Sequence, residues 1–117
     1  MLKEQVLKEF FTINDKPEEW TSLETLNGAP PPGFRKNRIA KSTDEQIFFP
    51  IGETEKGKAA GLSETIKTII REAGLQLHEK SSSNGTKIYA GFNLNDVSDD
   101  ELREILRQID AAIASVA

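Results

Sequence analysis

The first 28 residues carry two successive helical patterns. Large apolar residues recur every four positions from Leu2 through Val6 to Phe10, and this spacing predicts a short amphipathic helix over 2–11. Asp15 and Glu18 have the spacing of a reciprocal N-terminal cap, in which each side chain binds the other residue's backbone N–H. We therefore predict a second helix, which ends at Asn27-Gly28, and hence a helical pair over 1–28.

The pattern changes after this pair. The run Ala-Pro-Pro-Pro-Gly at 29–33 cannot continue a helix and predicts a stiff, extended spacer. Two segments at 34–40 and 46–51 follow, joined by a polar turn, and we predict that they form a pair of strands. Pro50 confines its end of the second strand to an edge or a terminus, because proline cannot donate a ladder hydrogen bond.

Another helix and a second pair of strands follow, with no internal sequence repeat. Ser63 precedes an apolar stripe that stops at Gly74, which predicts a helix over 63–73 capped by Ser63. Apolar and polar residues then alternate in 75–80 and 86–94. Asn84-Gly85 lies between these two segments and is a strong hairpin signal.

The clearest helix start lies near the C-terminus. Ser98 and Glu101 have the spacing of a capping box, and the neighbouring acids suit the positive end of the helix dipole. Val97 and Leu102 have the spacing of a hydrophobic staple. Apolar residues continue at helical spacing from Leu102 to Ile113, so we predict a final helix packed on the core.

These elements predict a single α+β domain over 1–117, in the order α-α-β-β-α-β-β-α. We expect an antiparallel sheet of about four strands with the helices on one face. The helical pair occupies 1–28, the proline-rich spacer 29–33 and the sheet-and-helix core 34–117. A chain of 117 residues supports one core of this kind.

Composition narrows the range of functions. The chain has no cysteine, which excludes disulfides, zinc fingers and iron–sulfur clusters. It has no apolar run of the roughly 18 residues that a membrane span needs, and its first residues do not resemble a secretion signal. We expect a soluble cytoplasmic protein with no metal, no cofactor and no membrane partner.

Motifs for catalysis are weak. Residues 52–59 match the G-x-x-x-x-G-K frame of a phosphate-binding loop, but Ala59 stands where a Mg²⁺-binding hydroxyl belongs, and Glu53 and Glu55 would repel phosphate. A flexible surface loop is the simpler interpretation. His78 is the only histidine and has no evident partner for general-base chemistry. We therefore expect a protein that is not an enzyme.

Charge is unevenly distributed in an acidic chain. The formal net charge is −4, yet residues 34–41 contain four cations and no acid. Lys67 and Arg71 lie four residues apart on one predicted helix face. We predict that the cations of 34–41 and those of this helix face form one anion-binding patch, to which Phe34 and the lysines at 56 and 58 also belong. The predicted site residues are Phe34, Arg35, Lys36, Arg38, Lys41, Lys56, Lys58, Lys67 and Arg71. A solvated strand edge that discourages aggregation is the structural alternative for the basic stretch.

The patch predicts a non-catalytic binding module for a phosphate-bearing ligand, either nucleic acid or nucleotide. The alternative is a protein–protein adaptor or inhibitor that self-associates through its helices into an oligomer. The acidic ends of the chain would then favour a basic protein partner. Five large apolar residues among the ten at 2–11 leave two roles open for the first helix, core docking or a partner contact.

Overall fold

The computed structural model describes residues 2–14, 20–25, 37–40, 46–50, 61–81 and 88–115. The elements within them are, in chain order, α1 (Glu4–Lys8), β1 (Phe11–Asn14), β2 (Trp20–Thr25), β3 (Asn37–Ala40), β4 (Gln46–Pro50), α2 (Leu62–Glu72), β5 (His78–Ser81), β6 (Ile88–Asn93), a 3₁₀ turn (Leu94–Asp96) and α3 (Asp99–Ala114). The α+β class is confirmed. The proline-rich spacer, the loop at 52–60 and the predicted Asn-Gly turn lie outside the described residues.

The strands form one antiparallel sheet in the order β1-β2-β3-β4-β6-β5. Both predicted strand pairs are present, since β3 pairs with β4 and β5 pairs with β6. Strand β4 also pairs with β6, which joins the two pairs into a continuous sheet. The sheet has six strands where the sequence predicted about four, because β1 and β2 extend it on the β3 side.

The predicted second helix is wrong. Residues Trp20–Thr25 form strand β2, and Phe11–Asn14 at the end of the predicted first helix form β1. Strand β2 contains the one tryptophan of the chain and two threonines, residue types that suit a pleated surface. Its backbone pairs with β1 on one side and β3 on the other. These pairings outweigh the local capping pattern at Asp15 and Glu18, so 1–28 is not a helical pair.

The three helices in the described part of the chain contribute to one core on one face of the sheet, as predicted. The sheet contributes alternate residues to that core, including Leu23, Ile47 and Phe92. The helices bury Leu7 from α1, together with residues at helical spacing from α2 and α3. The helix residues of the core are Val6, Leu7, Ile66, Ile70, Leu102, Ile105, Leu106 and Ile109.

The intervening residues of β4 and β6 form a second, smaller cluster of Phe48 and Tyr89. Gly91 lies opposite Phe48 in the register. A Cβ atom at Gly91 would overlap the backbone oxygen of Ile47 and come within 2.8 Å of a Phe48 ring carbon. Glycine is therefore required here by the close approach of β4.

Helix α1 docks on the core rather than projecting from it. Val6 and Leu7 are buried, and two ion pairs hold the helix against α3. Lys3 Nζ lies 3.1 Å from Asp99 Oδ1, and the Arg103 guanidinium binds Glu9. Of the two roles left open for this segment, the structure shows core docking.

The two longer helices begin differently. Ser98 accepts from the backbone N–H of Glu101 at 3.2 Å, and Glu101 accepts from that of Ser98 at 3.1 Å, so the capping box of α3 is confirmed. Helix α2 instead follows Gly61, which has a φ of 67° and supplies no side-chain cap. Ser63 lies inside the helix, and its predicted capping role is wrong.

Candidate functional site

Three of the nine predicted site residues lie in the described part of the chain. Arg38 is in β3, and Lys67 and Arg71 are on α2. The remaining predicted residues lie outside the described ranges, as does the phosphate-loop frame at 52–59. These residues are Phe34, Arg35, Lys36, Lys41, Lys56 and Lys58.

Lys67 connects α2 to the sheet. Its Nζ atom lies 2.7 Å from Glu79 Oε1 on β5 and 3.9 Å from Glu64 Oε1 on its own helix. The hydrogen bond and charge of Lys67 hold the pKa of Glu79 below its ordinary value, and Arg71 adds a smaller effect of the same sign. Only 18% of the Lys67 side chain is exposed. Lys67 thus neutralises a carboxylate of the same chain.

Arg38 occupies another part of the sheet. Its backbone lies opposite Ser22 on one side and Phe48 on the other. Strands β4 and β6 separate β3 from β5, which puts the backbones of Arg38 and Glu79 about 14 Å apart across the sheet. The structure thus brings Lys67 and Arg71 together one helical turn apart, and places Arg38 three strands away.

Lys80 is a cation that the sequence analysis missed. Its Nζ atom lies 5.3 Å from the centre of the Phe48 ring, within the range of a cation–π contact. Lys80 pairs with Tyr89 in the register, and Phe48 pairs with Arg38. Phe48 therefore has a basic residue on each side, Lys80 of β5 over its ring and Arg38 of β3 opposite it in the register.

A groove of about 530 Å³ lies between α2 and α3. Its apolar part consists of Ile69 from α2, Ala73 just after that helix and Ile105 from α3. Its polar lining consists of Glu72, Asp100, Glu101, Glu104 and Gln108. These eight residues include four carboxylates and no lysine or arginine. The surface therefore combines an apolar floor with an anionic rim, hereafter the α2–α3 groove.

Local hydrogen bonds keep the rim anionic. The pKa of Glu101 is lowered by the hydrogen bonds that it makes with Ser98 in the capping box. The pKa of Glu104 is lowered by hydrogen bonds from Arg107, 2.6 Å away, and Gln108. Both carboxylates are therefore ionised well below neutral pH, although Arg107 offsets part of the field of Glu104.

Arg103 links the groove rim to α1. Its Nε and one terminal nitrogen donate to the two oxygens of Glu9 at 2.9–3.1 Å, and the other terminal nitrogen donates to Asp100 at 3.0 Å. The hydrogen bond from Arg103 also lowers the pKa of Glu9. One guanidinium is thus shared by a carboxylate of α1 and a carboxylate of the groove.

The sequence analysis assigned Asp99, Asp100 and Glu101 to the start of the last helix. Glu72, Glu104 and the floor residues were not singled out. A signal was present in part, because Ile69, Glu72 and Ala73 recur at helical spacing, as do Glu104, Ile105 and Gln108. That spacing shows which residues share a helix face. It does not show that α2 and α3 pack side by side on one face of the sheet.

Among the described residues, no group of three or more histidine or acidic side chains has the arrangement needed to hold a metal ion. None of the described helices is both long enough and apolar enough to cross a membrane. His78 begins β5, lies opposite Gly91 and is partly exposed. Among the described residues, the charged side chains that are candidates for binding are therefore those of the ion pairs and those of the groove rim.

Comparison of the chain with protein-family models, with curated proteins and with solved structures finds no match.

Proposed function

We propose that the chain is a non-catalytic binding module whose α2–α3 groove takes a basic segment of a partner protein. The observation that carries this proposal is the pairing of an apolar floor with four rim carboxylates in one groove. Apolar contact supplies most binding energy at protein interfaces. Complementary charge steers the partner and sets its orientation. A segment with apolar side chains on one face and lysine or arginine on its flanks meets both requirements.

The ion pair of Lys67 also favours this ligand class over a polyanion. Lys67 is already within 2.7 Å of Glu79, and a phosphate would have to compete with that carboxylate. The rim of the α2–α3 groove is negatively charged, whereas a phosphate needs a positively charged site. We therefore place a basic protein segment ahead of a phosphate-bearing ligand.

The first test measures the affinity of a labelled amphipathic peptide of leucine and lysine by fluorescence anisotropy. A leucine–glutamate peptide of the same length is the ligand control. We expect the basic peptide alone to bind, and added salt to weaken its binding because exposed charges are screened beyond about 8 Å at physiological ionic strength. Equal binding of both peptides, or of neither, would contradict the proposal.

Two charge reversals on the helices locate the binding surface. Glu72→Lys alters the groove lining, and Asp110→Lys makes the same charge change on an exposed position of α3 outside that lining. We expect Glu72→Lys to weaken peptide binding several-fold and Asp110→Lys to have a much smaller effect. Equal effects would mean that the peptide responds only to net charge.

Self-association through the helices is a separate outcome. Sedimentation equilibrium of the wild-type chain over a range of concentrations measures it directly. If a dimer forms and Glu72→Lys dissociates it while Asp110→Lys does not, the groove belongs to a second copy, and the proposal of a basic partner segment is overturned. A monomer at all concentrations leaves the groove available for a different chain.

A phosphate-bearing ligand, nucleic acid or nucleotide, is the second candidate. The observation that favours it is the position of Phe48 between Lys80, whose Nζ lies 5.3 Å from the ring centre, and Arg38, which lies opposite it in the register. The sequence analysis assigned the basic stretch 34–41 and the lysines at 56 and 58 to the same class of ligand. Phe48 itself is buried, so the contribution of this surface would be the contact of its cations with phosphates rather than base stacking.

Oligonucleotide binding at low salt tests this candidate. The slope of log affinity against log salt counts the phosphates that are neutralised. Arg38→Glu is expected to abolish binding, and Lys8→Glu on α1 is the matched control with the same charge change. If DNA, RNA and nucleotides all fail to bind to the wild-type chain, this candidate is wrong.

A further inference from the structure

We infer that the docked helix α1 regulates the α2–α3 groove, because Glu9 draws the positive charge of Arg103 away from the rim carboxylate Asp100. This inference rests on the proposed function, since it concerns the affinity of that groove for a basic partner segment. It assigns a positioning role to a residue that does not itself line the groove.

The geometry of Arg103 carries the inference. A guanidinium is a planar fork that binds a carboxylate best through two parallel hydrogen bonds. Arg103 makes this bidentate contact with Glu9, through Nε and one terminal nitrogen, and leaves Asp100 a single hydrogen bond of 3.0 Å. The Asp100 side chain is 95% exposed and lines the groove. It therefore presents its remaining oxygen to an incoming cation.

The docking of α1 places Glu9 at this point. The buried side chains of Val6 and Leu7 fix the helix on the core, and the Lys3–Asp99 ion pair anchors it to the first turn of α3. These contacts do not depend on Glu9. A variant that lacks only the Glu9 carboxylate is therefore expected to keep α1 docked while it frees Arg103 to bind Asp100 with both arms.

The three charged groups give opposite expectations for two variants. With Glu9, Arg103 and Asp100 present, the local formal charge is negative by one unit. Glu9→Gln leaves Arg103 to neutralise Asp100, so the groove is expected to bind a basic segment more weakly. Arg103→Gln leaves two carboxylates uncompensated, so the groove is expected to bind more tightly. Both variants break the same bridge between α1 and α3.

This difference in sign separates regulation from a merely structural role. If the bridge mattered only because it holds α1 in place, the two variants would change the affinity in the same direction. Glu4 and Lys8 supply matched controls, because they form an ion pair of 4.0 Å within α1 and line no part of the groove. Glu4→Gln and Lys8→Gln repeat the two changes in net charge away from the rim.

The experiment measures the affinity of the labelled leucine–lysine peptide for the wild-type chain and these four variants, with circular dichroism as a check on folding. Glu9→Gln is expected to weaken binding, and Arg103→Gln to strengthen it, each by about two- to fivefold. The two controls are expected to match the wild type. Shifts of the same sign, no shift, or equal shifts in the controls would each overturn the inference.

The result also distinguishes this inference from the proposed function. If the wild-type chain binds the peptide and Glu72→Lys weakens that binding, while Glu9→Gln and Arg103→Gln have no opposing effects, only the regulatory role of α1 fails. If the wild-type chain does not bind the peptide at all, the proposed function fails and the inference is overturned with it.

Discussion

Lys67 of α2 and Glu79 of β5 form an ion pair of 2.7 Å that joins the helix layer to the edge strand β5. The sequence analysis placed Lys67 in an anion-binding patch, because its position four residues before Arg71 put both on one helix face. The structure shows what that position means in three dimensions. Lys67 projects from α2 toward strand β5, and that strand carries the acid Glu79.

The Lys67–Glu79 pair predicts how stability depends on pH. The folded-state pKa of Glu79 lies below its ordinary value of 4.5. The stabilisation is therefore present above that value and is lost as the pH falls through the lower, folded-state pKa. We expect Glu79→Gln to reduce the loss of stability between about pH 6 and about pH 3, measured by urea denaturation at each pH.

Glu4→Gln is the matched control for this measurement, because Glu4 pairs only at 4.0 Å with Lys8 on the same short helix. Its stability is expected to follow the wild-type curve, in which the lowered pKa values of other glutamates still contribute. A Glu79→Gln variant with the wild-type pH dependence would show that the ion pair does not persist in solution.

Gly91 tests the close packing of the central strands. A Cβ atom there would overlap the Ile47 backbone oxygen and lie 2.8 Å from a Phe48 ring carbon. We expect Gly91→Ala to lower the free energy of unfolding by about 3 kcal/mol. Gly61→Ala is the control. Its φ is 67° with nothing within 4 Å of the added atom, so it is expected to cost about 1 kcal/mol. Similar costs for both variants would contradict the register of β4 and β6.

The starts of the two long helices give a paired prediction. Ser98→Ala removes a side chain that accepts a hydrogen bond from the backbone N–H of Glu101, and is expected to cost about 1 kcal/mol. Ser63→Ala changes a residue inside α2 that makes no such cap, and is expected to be neutral or slightly stabilising because alanine is the better helix former. Thermal unfolding of both variants measures the difference, and the reverse order of stability would refute the assigned helix starts.

The docking of α1 predicts a large cost for a core truncation. Leu7 is fully buried in the same cluster as residues of α3, so Leu7→Ala is expected to lower the free energy of unfolding by about 3 kcal/mol. Leu2 packs only partly against that cluster, and Leu2→Ala is expected to cost clearly less. Denaturant unfolding of the two variants measures the difference. A negligible cost for Leu7→Ala would mean that α1 is not held on the core.

Features of the fold that depend on residues close together in the sequence were predictable. The capping box of Ser98 and Glu101 forms as expected because all of its partners lie within one helical turn. The alternation in β6 predicted its strand, and Ala90 and Phe92 both lie in the main core as that alternation implies. In contrast, Asp15 and Glu18 suggested a helix where the backbone of Trp20–Thr25 pairs with β1 and β3. A local pattern contains no information about such distant pairing partners.

The candidate site was less predictable for the same physical reason. The α2–α3 groove needs Ile69 and Ile105, which are far apart in sequence and meet only because both helices pack on one sheet face. The shared guanidinium of Arg103 likewise depends on Glu9, 94 positions away. The sequence located acids and cations individually. Whether a charge is already paired depends on contacts that only the folded chain makes.

The most direct test of the groove as a binding surface is an NMR titration of the isotopically labelled chain with the leucine–lysine peptide. We expect the backbone amide shifts that change to cluster at Ile69, Ala73, Ile105 and Gln108, all of which line the α2–α3 groove. Shifts confined to Phe48 and Lys80 on the sheet, with the groove residues unchanged, would contradict the assignment.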